Sequence, residues 1–162
     1  VAKPALSAIA DHWLENGRLD MAMASPEDLA YIASACAQLR LEREELNAAI
    51  AAGCTRQLTS LSGSHAAMIC GALVHLPSSG ADAFFALLVR HKLPQLLASS
   101  HFTLGDLAAI MNAAMATTVT MPRHCIAALL KAIGSHCPEA HSRVHSISDD
   151  DGDAASTGLL PR

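Results

Sequence analysis

Three segments of this chain open on a hydroxyl residue and continue with the same run of small and apolar residues. They are Ser25-Pro26-Glu27-Asp28-Leu29-Ala30-Tyr31-Ile32-Ala33-Ser34-Ala35, Ser62-Gly63-Ser64-His65-Ala66-Ala67-Met68-Ile69-Cys70-Gly71-Ala72 and Thr103-Leu104-Gly105-Asp106-Leu107-Ala108-Ala109-Ile110-Met111-Asn112-Ala113. Successive starts lie 37 and 41 residues apart. Self-similarity at a period between roughly 20 and 50 residues marks a supersecondary unit that buries its apolar face by stacking on its own copies. The expectation is an α-solenoid of about three helix-turn-helix repeats. Such solenoids usually present long binding surfaces.

Composition narrows the class. Of the 162 residues, 51% are hydrophobic but only 3% aromatic. A core of Ala, Leu, Ile and Met suits closely packed helix pairs and lacks the β-branched and aromatic residues that strands favour. The chain is therefore expected to be all-α. Five cysteines, Cys36, Cys54, Cys70, Cys125 and Cys137, form an odd set with no short-range pairing pattern. Cys36, Cys70 and Cys125 lie in apolar helical stretches and read as small buried hydrophobes in a reducing compartment. No apolar run reaches the roughly 18 to 20 residues that span a bilayer, so no membrane partner is expected. The formal charge of −4 argues against an autonomous nucleic-acid binder, which needs clustered Lys and Arg.

Along the chain, residues 4–15 read as a helix with Leu6, Ile9, Trp13 and Ala10 on one face, so residues 1–20 are expected to be the end of an upstream repeat. Residues 21–137 form the three-repeat body. In repeat one, Ser25 caps a helix with Pro26 at its first position and Glu27 and Asp28 at the positive end of the helix dipole. Its partner is expected from about Glu42 to Ala52, stopping at Gly53. In repeat two, Ser62 or Ser64 caps the first helix, Pro77 closes it, and Ser79 opens the second. The segment Lys92–Leu97 is expected to add a short third turn. In repeat three, Thr103 caps a helix with Leu107, Ile110, Met111, Ala114 and Met115 inward. Met121-Pro122 starts its partner, with Ile126, Leu129, Leu130 and Ile133 inward and a stop at Gly134. Residues 138–162 turn polar, with the run Asp149-Asp150-Asp151-Gly152-Asp153, and are expected to be extended or disordered.

Few residues propose chemistry. Cys137, His141 and His145 follow at four-residue steps and make a weak zinc-ligand candidate, against a solvated His-rich tail. His124-Cys125 and His65…Cys70…His75 invite a Cys–His nucleophile but fall inside or beside the apolar stripes. The acidic run lacks the spacing of a calcium loop. No phosphate loop, dinucleotide fingerprint or paired-carboxylate site appears. The reading is non-catalytic, with no cofactor and no small-molecule substrate. The cations are more suggestive: Arg40 and Arg43 lie between the helices of repeat one, Arg90 and Lys92 near the end of repeat two's second helix, and Arg123 and Lys131 in that of repeat three. On a superhelix they are candidates for a discontinuous stripe touching phosphates.

The pattern hydroxyl-x-x-Asp-Leu-Ala-x-Ile-x-x-Ala followed by a second helix resembles the octotricopeptide and heptatricopeptide repeats that accompany FAST-kinase-like and RAP-domain proteins of mitochondria and plastids. Ser25 to Leu39 and Thr103 to Met115 carry the likeness. Ser62 to Leu76 departs from it, with His65 and Ala66 where Asp and Leu stand. The likeness covers roughly residues 20–135. It implies a helical-repeat subunit of an organellar ribonucleoprotein, above all a mitochondrial ribosome in the matrix, with ribosomal RNA and ribosomal proteins as partners. The absence of a recognisable RAP domain carries over no nuclease activity. The alternative is a protein-only α-solenoid scaffold in another large complex.

Overall fold

A computed structural model describes residues 23–76, 80–99 and 101–136, together with the single helical position Ala8. Ala8 falls within the helix expected at 4–15; the rest of that segment, Pro77, Ser79, Cys137 and the tail at 138–162 lie outside the described residues. Among the described residues the chain is all-α: every regular element is a helix.

The three hydroxyl residues do start helices. Ser25 caps α1 (Pro26–Gln38): the Asp28 amide donates to Ser25 Oγ at 3.1 Å, and the Asp28 carboxylate accepts from the Ser25 amide at 3.3 Å. Thr103 repeats this reciprocal box at α6 (Leu104–Ala116), where the Asp106 amide donates to Thr103 Oγ1 at 3.1 Å and Asp106 accepts from the Thr103 amide at 2.9 Å. In the middle copy Ser62, not Ser64, caps α3 (Gly63–Leu73). There the His65 amide donates to Ser62 Oγ at 3.2 Å. Histidine in the place of aspartate leaves this cap with half of the box.

The second helices depart from expectation at their ends. α2 (Glu44–Arg56) runs straight through Gly53, which is buried, and gives way to a 3₁₀ turn at Leu58–Ser60. α4 (Ala81–Leu87) starts behind Gly80 without a side-chain cap. It does not end near Arg90 and Lys92. Instead the chain widens into a π turn over Leu88–Lys92 and continues as α5 (Leu93–Ser99). Pro94 explains the widening: in an α-turn its ring would meet the carbonyl four residues back, whereas here the Leu93 amide donates to the Leu88 carbonyl five back. α7 (Arg123–His136) likewise passes through Gly134, around which no side chain would be crowded.

The helices pack in two rows. α1 lies along α3 and α3 along α6; α2 packs on α4, and α5 on α7. The first row meets through small side chains, with Ala30, Ala33, Ala66 and Ala67 fully buried and Gly71 facing Ala109. The second row fills the remaining space with larger residues, Ile50, Phe84, Phe85, Leu88 and Leu129. Several residues not anticipated as core are buried too, among them Leu41, Leu61, Val89 and Phe102. Three expected core residues are not: Met115 is 74% exposed, Ile126 42% and Leu130 59%. Each lies on α6 or α7, the last helices of their rows among the described residues.

Two outcomes follow for urea unfolding. Ser25→Ala and Thr103→Ala are each expected to cost about 1 kcal/mol, through loss of the cap. A Cβ built at Gly71 would sit 3.5 Å from that of Ala109, an ordinary contact. Gly71→Ala is therefore expected to stabilise by up to about 1 kcal/mol from helix propensity, whereas Gly71→Leu is expected to destabilise by about 1–3 kcal/mol by forcing α3 and α6 apart.

Candidate functional site

The site residues singled out in the sequence divide by position. Arg40 ends the turn behind α1 in a left-handed conformation, φ 50°. Around it the Leu41 amide donates to the Cys36 carbonyl at 3.0 Å and the Arg40 amide to that of Ala37 at 3.0 Å. This is the bonding of a Schellman motif, whose left-handed residue is ordinarily glycine. Leu41 is buried behind it, and Asn47 Nδ2 donates to the Leu41 carbonyl at 3.3 Å, fixing the turn from below. Arg43 follows as the residue before α2 and is exposed, beside Glu42, Glu44 and Glu45. Arg123 is the first residue of α7, exposed, and no acidic residue shares its first turn.

These three arginines occupy locally unfavourable places. A left-handed conformation costs an L-residue roughly 1–2 kcal/mol. A cation at a helix N-terminus opposes the dipole and is disfavoured by about 0.3–1 kcal/mol. At Arg40 the cost lies in the backbone alone, since the dipole favours a cation behind the C-terminus of α1; Arg43 and Arg123 stand at helix starts, where Glu27, Asp28 and Asp106 are the favoured kind. Arg40 and Arg43 lie in the connection from α1 to α2, and Arg123 opens α7 behind the corresponding connection from α6. The intervening turn of this kind, behind α3, carries exposed His75. Thr118, behind α6, donates to Asp82 at the start of α4, tying the last two of these turns together.

The other candidate cations sit elsewhere. Arg90 is exposed in the π turn. Lys92 is half-buried and donates to the Thr59 carbonyl at 2.7 Å, bridging the π turn to the 3₁₀ turn behind α2. Thr59 follows the C-terminus of α2, so Lys92 works at the opposite end of that helix from Arg43. Lys131 lines a groove of about 590 Å³ between α5 and α7, together with His101 and His136. The structure thus groups Arg40, Arg43 and Arg123 by the kind of connection they belong to and places Lys92 and Lys131 apart from them. Sequence reasoning named Arg40 but could not see its conformation, because the turn after Leu39 carries no glycine or asparagine to announce it.

The four described thiols are enclosed by the helices. Cys36, Cys54, Cys70 and Cys125 are free and buried. Burial pushes the Cys54 thiol up to about 12. Burial does the same to Cys70, with Cys54 close by adding to it, again to about 12. Burial also raises Cys36 and Cys125. Cys125 Sγ points inward and donates to the Val89 carbonyl at 3.4 Å, while His124 beside it is exposed. Neither Cys–His pair is arranged for thiolate chemistry. Among the described residues no three His, Cys, Asp or Glu side chains gather as metal ligands. No described helix is long and apolar enough to cross a membrane.

Comparison with known proteins gives no relative. No family model matches the chain, and neither a curated protein nor a solved structure does. The functional reading therefore rests on the residues themselves.

The thiol environment has a measurable consequence. All four described cysteines are expected to resist a disulfide reagent at pH 8 and to react only when the chain unfolds. The sign of the pH dependence follows. Above pH 9 the unfolded thiols release protons that folded Cys54 and Cys70 retain until about pH 12, so the unfolded state is favoured as pH rises. Stability is expected to fall across that window by up to about 1.4 kcal/mol per pH unit for each thiol, measured by urea unfolding in a pH series.

Proposed function

We propose that this chain is a short α-solenoid serving, without catalysis, as a binding subunit of an organellar ribonucleoprotein, with a mitochondrial ribosome in the matrix as its setting. Support for the solenoid comes from the order of packing: each first helix meets the next first helix, and each second helix the next second helix. The ribosomal setting, with rRNA and ribosomal proteins as partners, rests on the resemblance carried by Ser25–Leu39 and Thr103–Met115. Buried, protonated thiols support a binding role over nucleophilic chemistry.

One observation carries the RNA part of the reading. Arg40 and Arg43 stand in, and Arg123 directly behind, connections of the same kind, at positions that carry a local cost. Guanidinium groups held there suit phosphate oxygens, which accept their planar fork of donors. A protein-only scaffold is the second reading, favoured by the carboxylates Glu42, Glu44 and Glu45 around Arg43 and by the net charge of −4.

The test separates stability from binding. Arg40→Gly relieves the left-handed strain and is expected to leave the chain equally stable or more stable, by up to about 1 kcal/mol. Combined with Arg123→Gln, it is expected to lower the amount of RNA co-purifying with the tagged protein. It should also reduce the salt dependence of RNA binding by roughly one phosphate contact per arginine removed. Ribosomal RNA and ribosomal proteins that are partly lost on RNase treatment uphold the ribonucleoprotein reading. A partner set free of RNA and indifferent to RNase makes the chain a protein scaffold.

A further inference from the structure

The connections from the first row to the second are gathered on one edge of the molecule. Gln38 at the end of α1 and His75 behind α3 line the same groove, of about 430 Å³. Val74 behind α3, Asp82 at the start of α4 and Thr117 behind α6 line one cavity of about 210 Å³. Thr118 donates to Asp82 across the same place. The order along the edge is therefore Arg40 and Arg43, then His75, then Arg123. Both ends of the edge carry guanidinium groups, which hold their charge at every physiological pH. The middle connection, residues 74–80, contains no Lys or Arg, and His75 is its one ionisable residue. Its side chain is exposed.

Resting on the RNA-binding reading above, we infer that His75 is the middle phosphate contact of one RNA strand laid along this edge, and that its protonation strengthens the hold on that strand as pH falls. The length of the strand follows from the packing. Helices in a row stand about 8–10 Å apart, so the two steps from the first unit to the third cover roughly 16–20 Å. A stacked strand advances about 3.4 Å per nucleotide, which makes the footprint on the order of five or six nucleotides. Imidazole is the side chain that changes its charge between about pH 8 and pH 5. The charged groups on the elements around His75 are Arg40 behind α1, Asp82 at the start of α4, and Asp106 of α6, which lines the groove with it. Both carboxylates are held by their own neighbours, Asp82 by the Thr118 hydroxyl and Asp106 by the Thr103 amide and hydroxyl, each at 2.9 Å. Phosphates favour the protonated ring, so binding of RNA is coupled to uptake of a proton and affinity rises as pH falls.

The experiment measures binding of eight-nucleotide and three-nucleotide oligoadenylates to the full chain, by fluorescence anisotropy, at about pH 5.5 and about pH 8. The unaltered chain is expected to bind the longer RNA severalfold more tightly at the lower pH, with the plot of log affinity against log salt steeper by roughly 0.7. The shorter RNA, which cannot reach from the first unit to the third, is expected to bind weakly at both. His75→Gln is expected to remove the pH difference without moving the melting temperature, since the side chain is exposed. His75→Arg is expected to give the low-pH affinity at pH 8, and His124→Gln, which leaves the middle connection untouched, to keep the difference. A pH difference that survives His75→Gln would overturn the proposal. So would an arginine variant no tighter than the unaltered chain at pH 8, or equal affinity for the two lengths. RNA binding that is lost on combining Arg40→Gly with Arg123→Gln but is indifferent to position 75 overturns the middle contact alone. A chain that binds neither RNA at either pH overturns the RNA reading and this inference together.

Discussion

The closeness of α1, α3 and α6 sets the geometry of everything else. Helices approach to a distance fixed by the side chains between them. Here those are Ala30, Ala33, Ala66, Ala67 and Gly71. A row held together by methyl groups has little apolar area per contact, so its cohesion depends on fit and not on bulk. The second row must supply the bulk. Phe84, Phe85, Leu88, Ile50 and Leu129 do so, and Leu29, Ile69, Leu107 and Ile110 of the first row are buried with them. The low aromatic content and the abundance of alanine are thus one fact, a consequence of stacking one row tightly under another.

The second unit is four residues longer than the first, and its insertion has a visible destination. Where α2 is a plain helix, the corresponding stretch of unit two is the run α4, π turn, α5, reaching from Ala81 to Ser99. The π turn takes up Pro94 and turns Lys92 toward the Thr59 carbonyl. A cation is therefore used as a strut between units instead of being left on the surface. Its donor meets a carbonyl in the 3₁₀ turn behind α2, where helical carbonyls have no intrahelical partner. Of the two basic residues that the sequence placed at a helix end, Lys92 thus bridges two units and Arg90 remains exposed.

How far the sequence could be read depended on how local the cause was. The three helix starts were legible because a cap is a property of four consecutive residues: Ser25 to Asp28 and Thr103 to Asp106 contain both halves of the box. Helix ends were less legible. Gly53 and Gly134 read as stops, yet both lie inside helices, because a glycine costs about 1 kcal/mol in a helix and packing outweighs that cost when a small residue is needed or tolerated. The turn at Arg40 was invisible for the opposite reason, since the residue in the left-handed position is one that disfavours it. Ile126 and Leu130 were read as core from their apolar spacing. Spacing reports which residues share a face but not whether another helix covers it, and cover is decided by what stands next in the row.

The same distinction bears on the arginines. A residue that stabilises its own helix needs no other reason for its place, and Glu27, Asp28 and Asp106 are of that kind. Arg40, Arg43 and Arg123 are not. Each adds an unfavourable local term, and together they belong to connections of one type in a chain whose net charge is negative. Arg43 and Arg123 stand at helix starts, where the dipole disfavours a cation, and Arg40 holds a left-handed backbone behind a helix C-terminus. The apolar pair Ile126 and Leu130 is likewise exposed where its equivalents Asn47, Ala51, Phe85 and Val89 are buried, so the spacing that marks a face does not by itself cover it.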